Sequence, residues 1–218
     1  MNNKIPVLLA EYERQTKSAS AEKSSLAHAA RRFETAAEAE KTFERLKQKL
    51  FRINNWNNVS GVSSYELFDA GGNSQPDPIA RATVGDFIKI TLPGSGKSDW
   101  VRVVRIHETP TTTPAEEVVL TVQPSSDPTD QDGSGRGDKT SHFFTDESTN
   151  NFCLERRQNE LNFYVVGLGE KANTRDTESF LESIRNFATA NIGHYFGIQK
   201  GEWTTFCENF LEIKKEEA

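Results

Sequence analysis

The chain has 218 residues, of which 35% are hydrophobic and 27% charged, and its formal net charge is −6. This length suits one large domain or two small ones, and the acidic balance argues against general nucleic-acid binding, which needs a basic surface. No apolar run is long enough to cross a membrane, and charges interrupt the apolar stretch near the N-terminus too early for a signal peptide. We therefore expect a cytoplasmic protein that has neither nucleic acid nor membrane as a partner and exists as a monomer or a homodimer.

The N-terminal segment has a helical pattern. Residues 18–53 contain no Pro or Gly, and their apolar side chains recur every three or four positions at Ala36, Ala39, Phe43, Leu46, Leu50 and Ile53. This spacing predicts a helix with one buried stripe, and the asparagine-rich residues 54–58 end it. Residues 5–12 are a weak candidate for a strand.

Strands dominate the middle of the chain. Apolar and β-branched segments predict strands at 62–68, 86–92, 100–107 and 117–123, and a hairpin of 151–158 and 161–168 around Gln158, Asn159 and Glu160. Asp69 to Asn73 is typical of a turn, and residues 124–140 of a loop rich in Asp, Ser, Gly and Pro. The acidic residues of this loop do not follow the EF-hand pattern, and whether the loop binds calcium stays open.

Residues 94–98 read Gly-Ser-Gly-Lys-Ser and imitate a phosphate-binding loop. That motif needs a glycine where this chain has Thr91, and a helix directly after the Lys-Ser pair. Trp100 and the β-branched residues after it favour a strand instead. We therefore predict a hairpin without a bound nucleotide, in which Trp100 is buried and Lys97 is exposed.

The C-terminal third is helical in pattern. A broad apolar face runs from Phe180 to Tyr195, and a second helix is predicted after Gly201 with apolar residues at 203, 206, 207, 210 and 211. The whole order predicts an α+β fold with a predominantly antiparallel sheet packed against N-terminal and C-terminal helices. We divide the chain into an N-terminal helical segment, 1–55, and an antiparallel sheet with C-terminal helices, 56–218, and we expect one compact domain with the first helix packed on the sheet.

Several sequence blocks resemble a family of uncharacterised bacterial proteins. They are residues 85–90 with Pro93-Gly94, residues 99–103, residues 142–147 and residues 169–174, and the resemblance covers about 56–173. It implies no established activity, so no catalytic residue is carried over. The element order alone is weakly similar to the helix-grip fold of START-like lipid carriers and cyclases, which also needs an N-terminal strand.

His142, Asp146 and Glu147 form the most catalytic-looking group, because a histidine near carboxylates can act as a general base. A polar turn is the alternative interpretation. His28 is expected on an exposed helix, and His107 has no partner at metal-ligand spacing. The two cysteines, Cys153 and Cys207, are interpreted as buried free thiols, and the sequence predicts neither a metal nor a cofactor.

Aromatic residues concentrate in the second half of the chain, and a gap between sheet and helices would be an aromatic-lined pocket. Its candidate ligand contacts are Phe144, Tyr164 and Tyr195. We hypothesise non-enzymatic binding of a small apolar ligand or a protein partner. The alternatives are a cyclase- or hydrolase-like enzyme with a pocket near His142, Asp146 and Glu147, and an assembly protein that pairs through its N-terminal helix.

Overall fold

The computed structural model describes residues 3–18, 23–60, 63–91, 98–109, 115–129, 148–170 and 195–213, with backbone alone at 23, 170 and 195–201. The elements, in chain order, are α1 (Ile5–Lys17), β1 (Lys23–Arg32), α2 (Ala36–Phe51), a 3-10 helix (Ile53–Asn58), β2 (Ser64–Phe68), β3 (Phe87–Thr91), β4 (Ser98–Glu108), β5 (Ala115–Pro124), β6 (Thr149–Arg157), β7 (Glu160–Glu170) and α3 (Tyr195–Phe210).

The strands form one seven-stranded sheet in the order β1-β7-β6-β5-β4-β3-β2, and every pair in it is antiparallel. This confirms the α+β class and the antiparallel sheet. The first strand pairs with the last, helices lie between β1 and β2, and another follows β7. The topology therefore has the element order of the helix-grip arrangement.

The helical prediction for residues 18–53 is correct over α2 but wrong over residues 23–32, which form β1. Ala27 and Ala29 are buried on the face over which α3 packs. Their small side chains leave room for the helix, so burial and pairing with β7 outweigh the helix propensity of alanine. The strand expected at 5–12 is also wrong, because these residues belong to α1, which has a proline in its first turn.

The asparagines of the 3-10 helix that follows α2 protect the edge of the sheet. Asn57 accepts a hydrogen bond from Tyr65 N at 2.6 Å and donates one to Tyr65 O at 3.2 Å. Asn54 accepts from Leu67 N at 2.9 Å. Side-chain amides thus occupy backbone groups on the free edge of β2, which would otherwise be open to another strand.

The sheet has two differently covered faces. The inner face carries Leu120, Phe152, Leu154 and Phe163, and it packs against α2, the 3-10 helix and α3 in the main core. The outer face carries a smaller cluster of Ile5, Val119, Cys153 and Val166, with side chains of α1 packed on it. The helix α1 is therefore on the opposite side of the sheet from α2, the 3-10 helix and α3.

Both predicted hairpins are confirmed. β3 and β4 pair antiparallel, Trp100 is 3% exposed, and Ser98 begins a strand rather than a helix, so the phosphate-loop alternative is wrong. Residues 92–97, and with them Lys97, lie outside the described ranges. β6 and β7 are joined at Gln158 and Asn159, and Gln158 has a φ of 55°, as tight hairpins require.

The C-terminal helix is longer than its sequence pattern predicts. The second predicted helix begins at Tyr195 rather than after Gly201, and its residues Phe206, Cys207, Phe210 and Leu211 are buried as expected. Two glycines lie inside it, and packing on the sheet compensates for their low helix propensity. Phe180 and most of the first predicted C-terminal helix lie outside the described residues.

Candidate functional site

The structure describes few of the candidate residues. His142, Phe144, Asp146 and Glu147 lie outside the described ranges, and Tyr195 is described by its backbone alone, at the start of α3. The grouping of His142 with the two carboxylates therefore stays a prediction.

Tyr164 lies on the outer face, away from the main aromatic cluster. Its ring stacks on His28 with centroids 4.4 Å apart, and burial, followed by the charge of Glu155, raises its pKa to about 12. His28 also contacts Asn162 Oδ1 at 2.9 Å. The prediction that His28 is exposed is correct, but it projects from strand β1 and not from a helix.

Aromatic rings are concentrated on the inner face beneath α3. We call them the inner-face cluster, formed by Trp56, Tyr65, Phe152, Phe163, Trp203, Phe206 and Phe210. Phe152 is central, with its centroid 4.7 Å from that of Trp56 and 5.5 Å from that of Trp203. Most of these pairs have the tilted or edge-to-face geometry that aromatic quadrupoles favour. Trp203 is only partly buried and forms one margin of the cluster.

Two polar atoms beside the inner-face cluster, Trp203 Nε1 and Asn150 Oδ1, are buried and have no hydrogen-bond partner in the part of the chain that the structure describes. Asn150 is two residues before Phe152 on β6, so both side chains share the inner face. Its cross-strand neighbours are Val122 and Gly167, which have no polar side-chain atoms to offer. A buried polar atom without a partner loses its hydration with no compensation, at about 1–3 kcal/mol.

A second polar group adjoins the same cluster. Ser63 Oγ donates a hydrogen bond to Glu202 Oε1 at 2.5 Å, and Tyr65 hydrogen-bonds to Ser60 and Ser63. Burial, with a smaller effect from the negative charge of Glu202, raises the pKa of Tyr65 well above its ordinary value. No sequence motif predicts this group, because its members come from two distant segments that only the tertiary structure brings together.

The outer face contains a separate group of buried carboxylates. Glu117 and Glu155 are directly opposite each other on β5 and β6 and are 0% and 1% exposed. Glu117 accepts hydrogen bonds from the backbone N–H groups of Lys4 and Ile5, at the N-terminus of α1, and lies 3.4 Å from His107 Nε2. Glu155 lies 2.8 Å from Arg157 Nη2. Both carboxylates thus have structural partners, and Glu117 holds α1 on the sheet.

Cys153 and Cys207 are both buried and free, as predicted. Burial is the main cause that raises the pKa of each thiol, for Cys207 to about 12. Such thiols are poor nucleophiles. Within the part of the chain that the structure describes, no three His, Cys, Asp or Glu side chains are grouped to hold a metal ion, and no helix has the length and apolar character needed to span a membrane.

Comparison with known proteins shows the fold alone. No family model and no curated protein matches the chain, so the resemblance to an uncharacterised bacterial family stays a prediction. A solved structure of the hypothetical protein jhp0584 from Helicobacter pylori is similar, with a TM-score of 0.52 and 6% identity over 93% of this chain and 94% of that chain. At this identity the likeness shows a shared fold and no activity.

Two plant proteins are similar at lower scores. Ginseng major latex-like protein 151 from Panax ginseng has a TM-score of 0.39 and 10% identity over 76% of this chain and 96% of that chain. Norcoclaurine synthase from Thalictrum flavum, solved in complex with dopamine and hydroxybenzaldehyde, has a TM-score of 0.39 and 7% identity over 90% of this chain and 91% of that chain. Neither likeness bears on the function of this chain.

Proposed function

We propose that this protein binds a small, predominantly apolar ligand between the inner face of the sheet and α3, without catalysing a reaction on it, and that it does so in the cytoplasm. The observation that carries the proposal is Trp203, a partly buried indole at the margin of the inner-face cluster whose N–H has no hydrogen-bond partner among the described residues. A ligand placed against this indole would gain aromatic contact and satisfy the donor at once.

The chemistry around Trp203 favours an apolar ligand. Phe152 and Phe206 pack against the indole, with ring centroids 5.5 and 5.6 Å away. Small-molecule sites are typically lined by apolar and aromatic side chains with a few polar groups that orient the ligand. The inner-face cluster with the unpartnered Trp203 Nε1 has this composition.

Binding can be tested with the neutral fluorophore phenylnaphthylamine, whose emission rises in an apolar site. We expect the native protein to enhance its fluorescence and Trp203→Ala, which removes the aromatic contact, to weaken the binding. The matched control is Trp100→Ala, because Trp100 packs against Phe68 on the outer face and its loss should leave binding unchanged. Absence of enhancement, or equal losses in both variants, would contradict the proposal.

A further inference from the structure

Within the described residues, the inner-face site contains one unpartnered donor and one unpartnered acceptor. Trp203 Nε1–H can only donate, and Asn150 Oδ1 can only accept. Native proteins leave few buried polar atoms without a partner, and the existing ones call for a specific explanation. Here one donor and one acceptor lie beside the same aromatic ring, that of Phe152. A single ligand group that bonds to both atoms would explain why neither has a partner.

Position supports a shared ligand. Asn150 precedes Phe152 by two residues on the same face of β6, and the ring of Trp203 packs edge-on against Phe152. The indole and the amide are therefore both adjacent to one phenyl ring. The residues opposite Asn150 on the neighbouring strands are Val122, whose side chain is apolar, and Gly167, which has no side chain. Neither can donate a hydrogen bond from a side chain to the amide oxygen of Asn150.

The negative charge of Glu202 limits which polar group the ligand can have. The residue before Trp203 is Glu202, whose carboxylate accepts a hydrogen bond from Ser63 at the edge of the cluster. A carboxylate on the ligand would be repelled by Glu202 and could not donate to Asn150 Oδ1. A neutral hydroxyl both accepts and donates, so it suits the pair.

From these observations we infer that the ligand is a neutral apolar molecule with a hydroxyl group, a phenol or an alcohol, whose oxygen accepts from Trp203 Nε1 and whose proton is donated to Asn150 Oδ1. This inference rests on the proposed function. The residues Trp203 and Asn150 determine ligand specificity, and the aromatic rings of the cluster supply most of the contact area.

The test compares three probes of similar shape: β-naphthol, β-methylnaphthalene and β-naphthoate. Affinities are measured by displacement of phenylnaphthylamine or by calorimetry with the intact protein. We expect β-naphthol to bind about tenfold more tightly than β-methylnaphthalene, since one net hydrogen bond in a buried site is worth about that factor. β-Naphthoate should bind most weakly of the three.

Two variants assign the preference to its residues. Trp203→Phe and Asn150→Leu should each reduce the preference for β-naphthol to within about threefold of β-methylnaphthalene while retaining binding of the latter. Trp100→Phe, on the outer face, should keep the preference. A thermal melt verifies that each variant folds, and either specificity variant alone suffices if the other fails to fold.

The outcomes separate the two proposals. Equal affinity for β-naphthol and β-methylnaphthalene in the native protein overturns the inference and leaves the proposed function standing, as does tightest binding of β-naphthoate. Equal loss of both neutral probes in Trp203→Phe shows that the indole acts by shape and also overturns the inference. If no probe binds and phenylnaphthylamine does not respond, the proposed function itself fails.

Discussion

At the scale of single residues, Glu117 is a buried carboxylate that caps a helix. The N-cap residue of α1, Lys4, has no side chain that caps the helix. The carboxylate of Glu117, which lies on β5 in the sheet, caps it instead. The positive end of the helix dipole and two orphan N–H groups compensate the carboxylate. A residue more than a hundred positions away thus fixes where the helix begins.

We expect Glu117→Gln to weaken the docking of α1, because an amide has no charge and loses part of the cap. The free energy of unfolding should fall by about 1–3 kcal/mol, and the α1 amides should exchange hydrogen faster than those of the sheet. Glu13→Gln is the control, since Glu13 lies on the exposed side of the same helix in a weak pair with Lys17. Unchanged exchange in α1 would show that the apolar cluster alone holds the helix.

The thiol of Cys153 reports on the same docking. It lies beneath α1 in the outer-face cluster, and burial raises its pKa well above the ordinary value. In the native protein we expect a thiol reagent such as dithiobis-nitrobenzoate to label neither cysteine quickly, whereas the denatured chain labels at both. Cys153 should label faster in Glu117→Gln, with Cys207 unaffected on the other face. Rapid labelling of the native protein would mean that the helices covering the sheet detach readily and expose the thiols.

At the scale of elements, the sequence predicts best where one burial pattern dominates. The apolar stripe of α2 and the spacing from Trp203 to Leu211 identify helices because each packs one face on the sheet. β1 is mispredicted because Ala27 and Ala29 are good helix formers, and the need for small side chains beneath α3 is a tertiary requirement. The grouping of Trp203, Asn150 and Glu202 could not be predicted either, because only the tertiary structure shows which polar atoms are buried without a hydrogen-bond partner.

The asparagine edge of β2 leads to a prediction at this scale. We expect Asn57→Ala to lower the free energy of unfolding by about 1–2 kcal/mol, because it removes two hydrogen bonds to Tyr65, and to promote self-association through the opened edge. Asn58→Ala is the matched control, since the neighbouring side chain is exposed and should be nearly neutral. Urea denaturation and light scattering measure the two effects. Equal behaviour of both variants would contradict the role of Asn57.

At the scale of the whole molecule, the end of α3 is joined to two other elements. Arg45 of α2 forms two hydrogen bonds with Glu212, at 2.5 and 2.6 Å, and Arg31 of β1 donates to Leu211 O at 2.9 Å. Lys49 donates to Phe210 O at 3.3 Å. Cations around the last carbonyls of a helix are favoured by its dipole, so these contacts connect α3 to both α2 and the sheet.

Stability should therefore depend on the ionisation of Glu212. The hydrogen bonds from Arg45 hold the pKa of Glu212 below its ordinary value of 4.5. A carboxyl with a lowered folded pKa stabilises above its unfolded pKa, and this contribution is lost as the pH falls through the folded value. At neutral pH we expect Glu212→Gln to cost at most about 1 kcal/mol, because the pair is partly exposed to solvent.

The difference between Glu212→Gln and the native protein should shrink in acid and vanish below the lowered pKa. Urea denaturation across a pH series measures it, and Glu40→Gln, an exposed carboxyl of α2, should show no such dependence. A difference that persists in acid would assign the effect to packing and not to charge.

The pairing of the first strand with the last has a consequence for biosynthesis. His28 and Asn162 are 134 positions apart, yet they are neighbours across β1 and β7. While the ribosome makes the chain, β1 has no partner until β7 emerges, and α3, which covers Ala27 and Ala29, comes later still. Completion of the sheet therefore has to wait until β7 has been made, and it closes a very long loop. Folds dominated by such distant contacts form slowly, in milliseconds to seconds. Until then the nascent chain exposes an unpaired alanine-rich strand, so it is open to misassembly or chaperone capture from the synthesis of β1 to that of β7.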